Sequence, residues 1–262
     1  MKKLSVAFAA LAVMASGAYA DVTSVNIVGV DTVTLEPGKR VIAAAKFYEP
    51  GGDGTNTLIK IFGTNQLVQS DSYVLSDRIS VFDTVNGTYQ FYCQWTDGHF
   101  YRCNDLDEWN AGIKADDDVI PTGSSFWIIH PAGAATNEIT LTGEVLGGAS
   151  DTQDVAVVTG YQLISYPYAS EVAIQDIAKL ADGATANNSY ALADRIVVWN
   201  KDAQEYQKYA IWTDDNWYKA NDLDEWNSGT AASNSVDVSE GYWYISRSDF
   251  TITRGCPYSA AY

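Results

Sequence analysis

The sequence predicts an all-β protein with minor helical content. It is expected to fold as two tandem homologous modules, each a β-sandwich or small barrel, behind a cleaved signal peptide. Three observations predict this. The heptad Asn104-Asp105-Leu106-Asp107-Glu108-Trp109-Asn110 recurs letter for letter as Asn221-Asp222-Leu223-Asp224-Glu225-Trp226-Asn227. A shift of 117 residues lays residues 72–112 on 189–229 without a gap, and 22 of 41 positions are identical; self-similarity of this kind marks one structural unit written twice. Most of the remaining chain consists of short runs rich in Val, Ile, Tyr, Phe and Trp, parted by Gly, Pro, Asn and Asp, the pattern of antiparallel strands and turns.

In chain order, residues 1–20 have the form of a secretion signal: Lys2 and Lys3, an apolar run over 4–15, and Ala18-Tyr19-Ala20 before Asp21. That run is too short for a permanent anchor, and no later stretch is suited to spanning a bilayer as a helix. Module 1 is expected at 21–147 and module 2 at 148–262, joined by the small, polar stretch 146–150. Strands are expected at 25–35, 40–47, 78–83, 89–95, 100–103, 126–130 and 138–145, with turns at Pro37-Gly38, Asn86-Gly87 and Asp97-Gly98. The second copy repeats the order at 161–166, 195–200, 206–212, 217–220, 242–246 and 250–253. Helical periodicity is confined to 57–62 and 172–180. Each half, at about 115 residues, is long enough to bury its own core.

The formal charge is −17, and −19 once Lys2 and Lys3 leave with the signal. So acidic a chain repels nucleic acid and anionic lipid, which excludes both as partners. It suits solubility in a salty exterior, and it would also attract divalent cations. With 47% apolar residues, the chain is not disordered.

Cys93 and Cys103 flank the hairpin whose turn is Thr96-Asp97-Gly98-His99, and a loop centred on Gly98 would place them face to face. Their counterparts, Ala210 and Ala220, have both lost sulfur, as a bonded pair in an oxidising compartment would require. A Cys93–Cys103 disulfide is therefore expected, adding about 2 kcal/mol; two packed thiols are the alternative. Cys256 has no partner left, and three cysteines with two histidines lack the spacing of a zinc site.

The duplicated heptad supports two accounts. Asp105 and Glu108, then Asp222 and Glu225, fit a capping box at a short helix that Gly112 and Gly229 would end, with Trp109 and Trp226 dropped onto the sheet as core anchors. Alternatively Asn104, Asp105, Asp107 and Glu108, and in the second copy Asp222, Asp224 and Glu225, are hard oxygen ligands of the type calcium takes, though without EF-hand spacing. The run Asp116-Asp117-Asp118 is expected to be a solvated loop. The repeats Asp77-Arg78 and Asp194-Arg195 suit an ion pair or a turn-fixing bond.

Glycan binding would need exposed ring faces. Trp95, Tyr92 and Tyr101 in the first copy, and Trp212, Tyr209, Trp217 and Tyr218 in the second, are the candidates. Alternation along the strand places Tyr89, Phe91, Cys93 and Trp95 inward and leaves Gln90, Tyr92 and Gln94 for solvent. An enzyme is not expected: His99 and His130 are replaced by Asn216 and Ser246 in the second copy, and adjacent Asp107 and Glu108 cannot flank a cleft as paired glycosidase acids.

Segments 24–30 (Ser-Val-Asn-Ile-Val-Gly-Val), Pro37-Gly38, 160–165 (Gly-Tyr-Gln-Leu-Ile-Ser), 139–145 and Ser239-Glu240-Gly241-Tyr242-Trp243 resemble a family of uncharacterised exported bacterial proteins made of two β-rich repeats. The first copy departs from that repeat end, with Gly123-Ser124-Ser125-Phe126-Trp127. The resemblance implies export, duplication and β architecture, and carries no activity. The expected function is that of a non-enzymatic surface or binding protein of the periplasm, cell surface or medium. A calcium-assisted carbohydrate-binding protein is the alternative, with an extracellular glycan or other envelope proteins as partners.

Overall fold

The computed structural model describes residues 28–48, 56–121, 123–145 and 152–258. The expected signal peptide, the start of the first expected strand and the stretch 146–150 lie outside them. Strands dominate, with four short α-helices among the described residues. The first half holds β1 (Val28–Leu35), β2 (Arg40–Ala44), β3 (Phe47–Tyr48), α1 (Leu58–Phe62), β4 (Arg78–Asp83), β5 (Thr88–Gln94), β6 (Phe100–Arg102), α2 (Leu106–Ala111), β7 (Ser125–Ile129) and β8 (Asn137–Val145). The second holds β9 (Thr152–Val157), β10 (Gly160–Ile164), β11 (Val172–Ala173), α3 (Ile174–Ile177), β12 (Arg195–Asn200), β13 (Glu205–Ile211), β14 (Trp217–Lys219), α4 (Leu223–Ser228), β15 (Ser235–Val236), β16 (Tyr242–Ser246) and β17 (Phe250–Gly255).

Two five-stranded antiparallel sheets share one connectivity, β2-β7-β4-β5-β6 in the first half and β10-β16-β12-β13-β14 in the second. Each is covered on one face by an antiparallel ribbon, β1–β8 and β9–β17 respectively. Under the first ribbon Val33, Leu35, Ile139 and Leu141 meet Ile79, Tyr92, Phe100, Phe126 and Ile128, with Leu58 and Phe62 of α1 closing one end. Under the second, Val155, Val157 and Ile252 meet Ile196, Tyr209, Trp217, Tyr242 and Tyr244, with Ile174 and Ile177 of α3 in the matching place.

The other faces of the two sheets are apolar as well, and they pack on each other. Ile42 and Trp127 meet Leu163, Val197, Trp199, Trp243 and Ile245, with Phe82, Tyr89 and Ile129 at the margin. The layers therefore run ribbon, sheet, sheet, ribbon. The seam is reciprocal: Ser165 N donates to Gly123 O at 2.8 Å, and Ala44 N donates to Ser239 O at 2.9 Å. Isolated bridges repeat the exchange, Ser124 with Ile164 and Ala43 with Glu240. Mutual contacts of this form are those of a two-fold interface, here between halves of one chain.

Three expectations need correction. The expected helix at 172–180 is split: Val172 and Ala173 pair with Val236 and Ser235 as β11–β15, and only Ile174–Ile177 is α-helical. The β5–β6 hairpin pairs Cys93 with Tyr101 and Gln94 with Phe100, which centres the loop on Asp97 rather than Gly98. The cysteines are diagonal neighbours on one face instead of directly opposite. The inward face of β5 is also reversed: Tyr92 and Gln94 point into the ribbon-covered core, where Gln94 Nε2 donates to Gly63 O and Gly98 O at 2.8 and 2.9 Å. Alternation gave the right period but could not choose between two faces that both carry rings.

Candidate functional site

The duplicated heptad forms α2 and α4 and is anchored in the same way twice. Asp105 Oδ1 accepts from Glu108 N at 2.8 Å, and Glu108 Oε2 accepts from Asn104 N at 2.7 Å. The second copy repeats both bonds with Asp222, Glu225 and Asn221, at 2.8 and 2.9 Å. The returning glutamate bond falls one residue before the usual N-cap position, a small departure from a capping box. Gly112 and Gly229 end the helices in the left-handed conformation, with φ of 62° and 64°. Trp109 and Trp226 are buried, and Trp109 Nε1 donates to Asp71 O at 3.1 Å.

Each of these bonds takes one carboxylate oxygen of Asp105, Glu108, Asp222 or Glu225, while Asp107 and Asp224 stand exposed. Among the described residues no three His, Cys, Asp or Glu groups converge on a point that could hold a metal ion. The structure does not bring the candidate calcium ligands together.

The candidate glycan platform is also dispersed. Tyr92, Tyr209 and Trp217 are core residues under the ribbons, and Trp217 Nε1 donates to Ala178 O at 2.8 Å. Trp95 stacks on Trp109 at 4.6 Å and 13°, over buried Tyr101, Cys93 and Cys103. Trp212 packs on Trp226 at 4.7 Å, beside Tyr218. Four of these seven side chains are buried and the other three half-buried: the ribbons cover Tyr92, Tyr209 and Trp217, and the helix tryptophans pack on Trp95, Tyr101, Trp212 and Tyr218. The sulfurs of Cys93 and Cys103 lie 2.6 Å apart.

The buried aspartates of the Asp-Arg repeats serve the fold. Asp77 accepts from Val68 N at 2.7 Å and bonds His130 Nδ1 at 2.5 Å, while His130 Nε2 bonds Ala135 O. Asp194, its counterpart, accepts from Thr185 N, Arg247 N and the Tyr244 hydroxyl. Burial pushes both carboxyls above their ordinary range, against the pull of these bonds. They are turn-fixing bonds, as one of the two readings of the Asp-Arg repeats expects. Asp116 and Asp118 are not free in solvent: they bond His99 Nδ1 at 2.6 Å and the Arg102 guanidinium at 3.0 Å, clasping the hairpin.

What the sequence does not reveal is an aromatic cleft at the margin of the seam. Phe82, Gly87 and Tyr89 from the first half and Tyr161, Val197, Tyr206, Trp243 and Ile245 from the second line a recess of about 430 Å³. Phe82 packs edge-on to Trp243 at 4.9 Å and to Tyr89 at 5.2 Å, and Tyr89 to Trp243 at 6.3 Å. Tyr161 stands at 6.4 Å and 80° to Trp243. Tyr161 and Tyr206 remain 58% and 38% exposed. The polar atoms offered by these side chains are tyrosine hydroxyls and an indole N–H; no carboxylate, imidazole or ammonium belongs to the wall. The tyrosine Tyr89 has an identical counterpart in Tyr206, but nothing local to either marks it as a site.

Comparison with protein-family models, curated proteins and solved structures returns no match.

Proposed function

We propose that this chain is an exported, non-enzymatic binding protein that holds its ligand in the aromatic cleft between its two five-stranded sheets. The observation that carries this reading is the cleft wall: five rings drawn from both halves around about 430 Å³, a size typical of small-molecule sites. Ring faces with few polar groups supply contact area and orientation but no acid, base or nucleophile. The signal-like N-terminus supports export to the periplasm, cell surface or medium. The acidic charge favours neutral or cationic ligands over anionic ones.

Carbohydrate binding is the second reading, favoured by the exposed faces of Tyr161 and Tyr206. The apolar face of a sugar would pack on such rings while their hydroxyls bond to it. The test is retention of the mature protein on insoluble polysaccharides, with thermal midpoints measured against soluble ligands, since a ligand bound only by the folded form raises the midpoint. Tyr161→Ala and Tyr206→Ala should fold normally and weaken binding about tenfold each, the value of a lost stacking contact. Retention indifferent to both variants but abolished by Trp95→Ala or Trp212→Ala would move the site to the hairpin ends and reject the cleft.

A further inference from the structure

The seam holds two aromatic trios in mated positions. Trp127, Trp199 and Tyr206 form one, with Trp127–Trp199 at 5.2 Å and 77°, Trp199–Tyr206 at 4.8 Å and 68°, and Trp127–Tyr206 at 6.3 Å and 83°. Trp243, Phe82 and Tyr89 form the other, where the matching values are 4.9 Å and 75°, 5.2 Å and 65°, and 6.3 Å and 90°. Strand register fixes the correspondence. Trp127 lies opposite Ile42 as Trp243 lies opposite Leu163, and Arg40 lies opposite Ile129 as Tyr161 lies opposite Ile245.

The first trio is filled by a cation. The Arg40 guanidinium carbon sits 4.9 Å from the Trp127 ring centre and 4.5 Å from that of Trp199. Three hydrogen bonds hold its backbone there: Trp199 Nε1 and Gln204 Nε2 donate to Arg40 O at 2.8 and 3.0 Å, and Arg40 N donates to Gln204 Oε1 at 3.1 Å. Each of these devices is missing from the mated trio. Tyr161 stands where Arg40 would be, Phe82 has no N–H in place of Trp199, and Gly87 has no side chain in place of Gln204. The result is the open cleft, in which Phe82, Gly87, Tyr161 and Trp243 are all wall residues.

We propose that this open trio binds a small organic cation of the guanidinium or alkylammonium class, the kind of group that Arg40 supplies to its mate. The proposal rests on the cleft being the ligand site. The ring quadrupole attracts such a cation wherever it lies over an aromatic face. A chain of net charge −17, with no cationic side chain in the cleft wall, concentrates cations at its surface. An anionic ligand would meet the opposite field.

The experiment titrates the mature full-length protein with methylguanidinium and with methylurea, which has nearly the same shape but no charge, following tryptophan fluorescence and NMR shifts. The expected result is saturable binding of methylguanidinium, about tenfold tighter than methylurea. Tyr161→Arg places at the open trio the residue that fills its mate, and should weaken binding about tenfold with an unchanged circular dichroism spectrum and melting midpoint. The triple variant Phe82→Trp, Gly87→Gln, Tyr161→Arg should abolish it. Equal affinity for the two probes, or undiminished binding in Tyr161→Arg, overturns the proposal. Binding of a neutral polysaccharide that Tyr206→Ala weakens, without binding of methylguanidinium, rejects the cation and keeps the cleft. Failure of every ligand at the cleft rejects both. A short arginine peptide bound more than about tenfold tighter than methylguanidinium would replace the small cation by a protein side chain.

Discussion

Gln204 and Asp215 adopt positive φ, 55° and 65°, at the positions where the first copy has Gly87 and Gly98. A side chain in that region costs of order 1 kcal/mol, and here each strained residue makes a contact its glycine counterpart cannot. Gln204 holds the Arg40 backbone, and Asp215 Oδ1 accepts from Leu180 N at 2.7 Å. The matched turns of the two halves therefore make different contacts. Asp182 shows the same economy in charge. Hydrogen bonds from the Arg254 guanidinium, the shorter at 2.7 Å, hold its carboxyl below the ordinary 3.8. A carboxyl lowered on folding contributes stability that is complete above its unfolded value and drains as pH falls through the folded one. Asp182→Asn should therefore cost about 1 kcal/mol at neutral pH, a modest figure because the pair is partly solvated. The deficit should close as pH falls below about 4. Urea midpoints at pH 7 and at pH 3 check this, and an equal deficit at both would show that charge is not the cause.

At the scale of elements, the hairpin β5–β6 with α2, and its counterpart β13–β14 with α4, were the most legible parts of the chain. Their bonds run between residues within a few positions of one another: Asp105 to Glu108, Asn104 to Glu108, Gly112 to Trp109. Asn104 also accepts from Phe91 N at 2.7 Å, as Asn221 does from Lys208 N at 2.8 Å, which ties each helix to its hairpin. The sulfurs of Cys93 and Cys103 lie under this lid. They are 2.6 Å apart, placed to bond to each other. A small disulfide oxidant should therefore convert the pair into a Cys93–Cys103 disulfide, the two thiols giving up two protons and two electrons to it. Intact mass and a trapping assay would detect the change, with a stability gain of about 2 kcal/mol. Thiols that stay titratable after prolonged oxidant treatment in denaturant-free buffer would refute it.

For the whole molecule the seam decides most. Gly241 sits where any Cβ would come 2.2 Å from Ser125 Cβ and 3.0 Å from Ile42 Cγ2 in the other half. Gly241→Ala should therefore strain the docking of the two sheets and cost about 1–3 kcal/mol. It should also expose the seam to a hydrophobic dye before the cores melt, and coincident loss of seam and cores with no change in midpoint would contradict this. Composition and pattern alone determined the β architecture and the capped tryptophan turns, since periodicity and turn chemistry are local properties of the chain. The inward face of β5, the burial of Tyr92, Tyr209 and Trp217, and the aromatic cleft were left to the tertiary structure. Both faces of each five-stranded sheet are apolar, so alternation could not say which meets a ribbon and which meets the other sheet. Phe82, Tyr161 and Trp243 become one wall only when strands far apart in the chain are packed face to face.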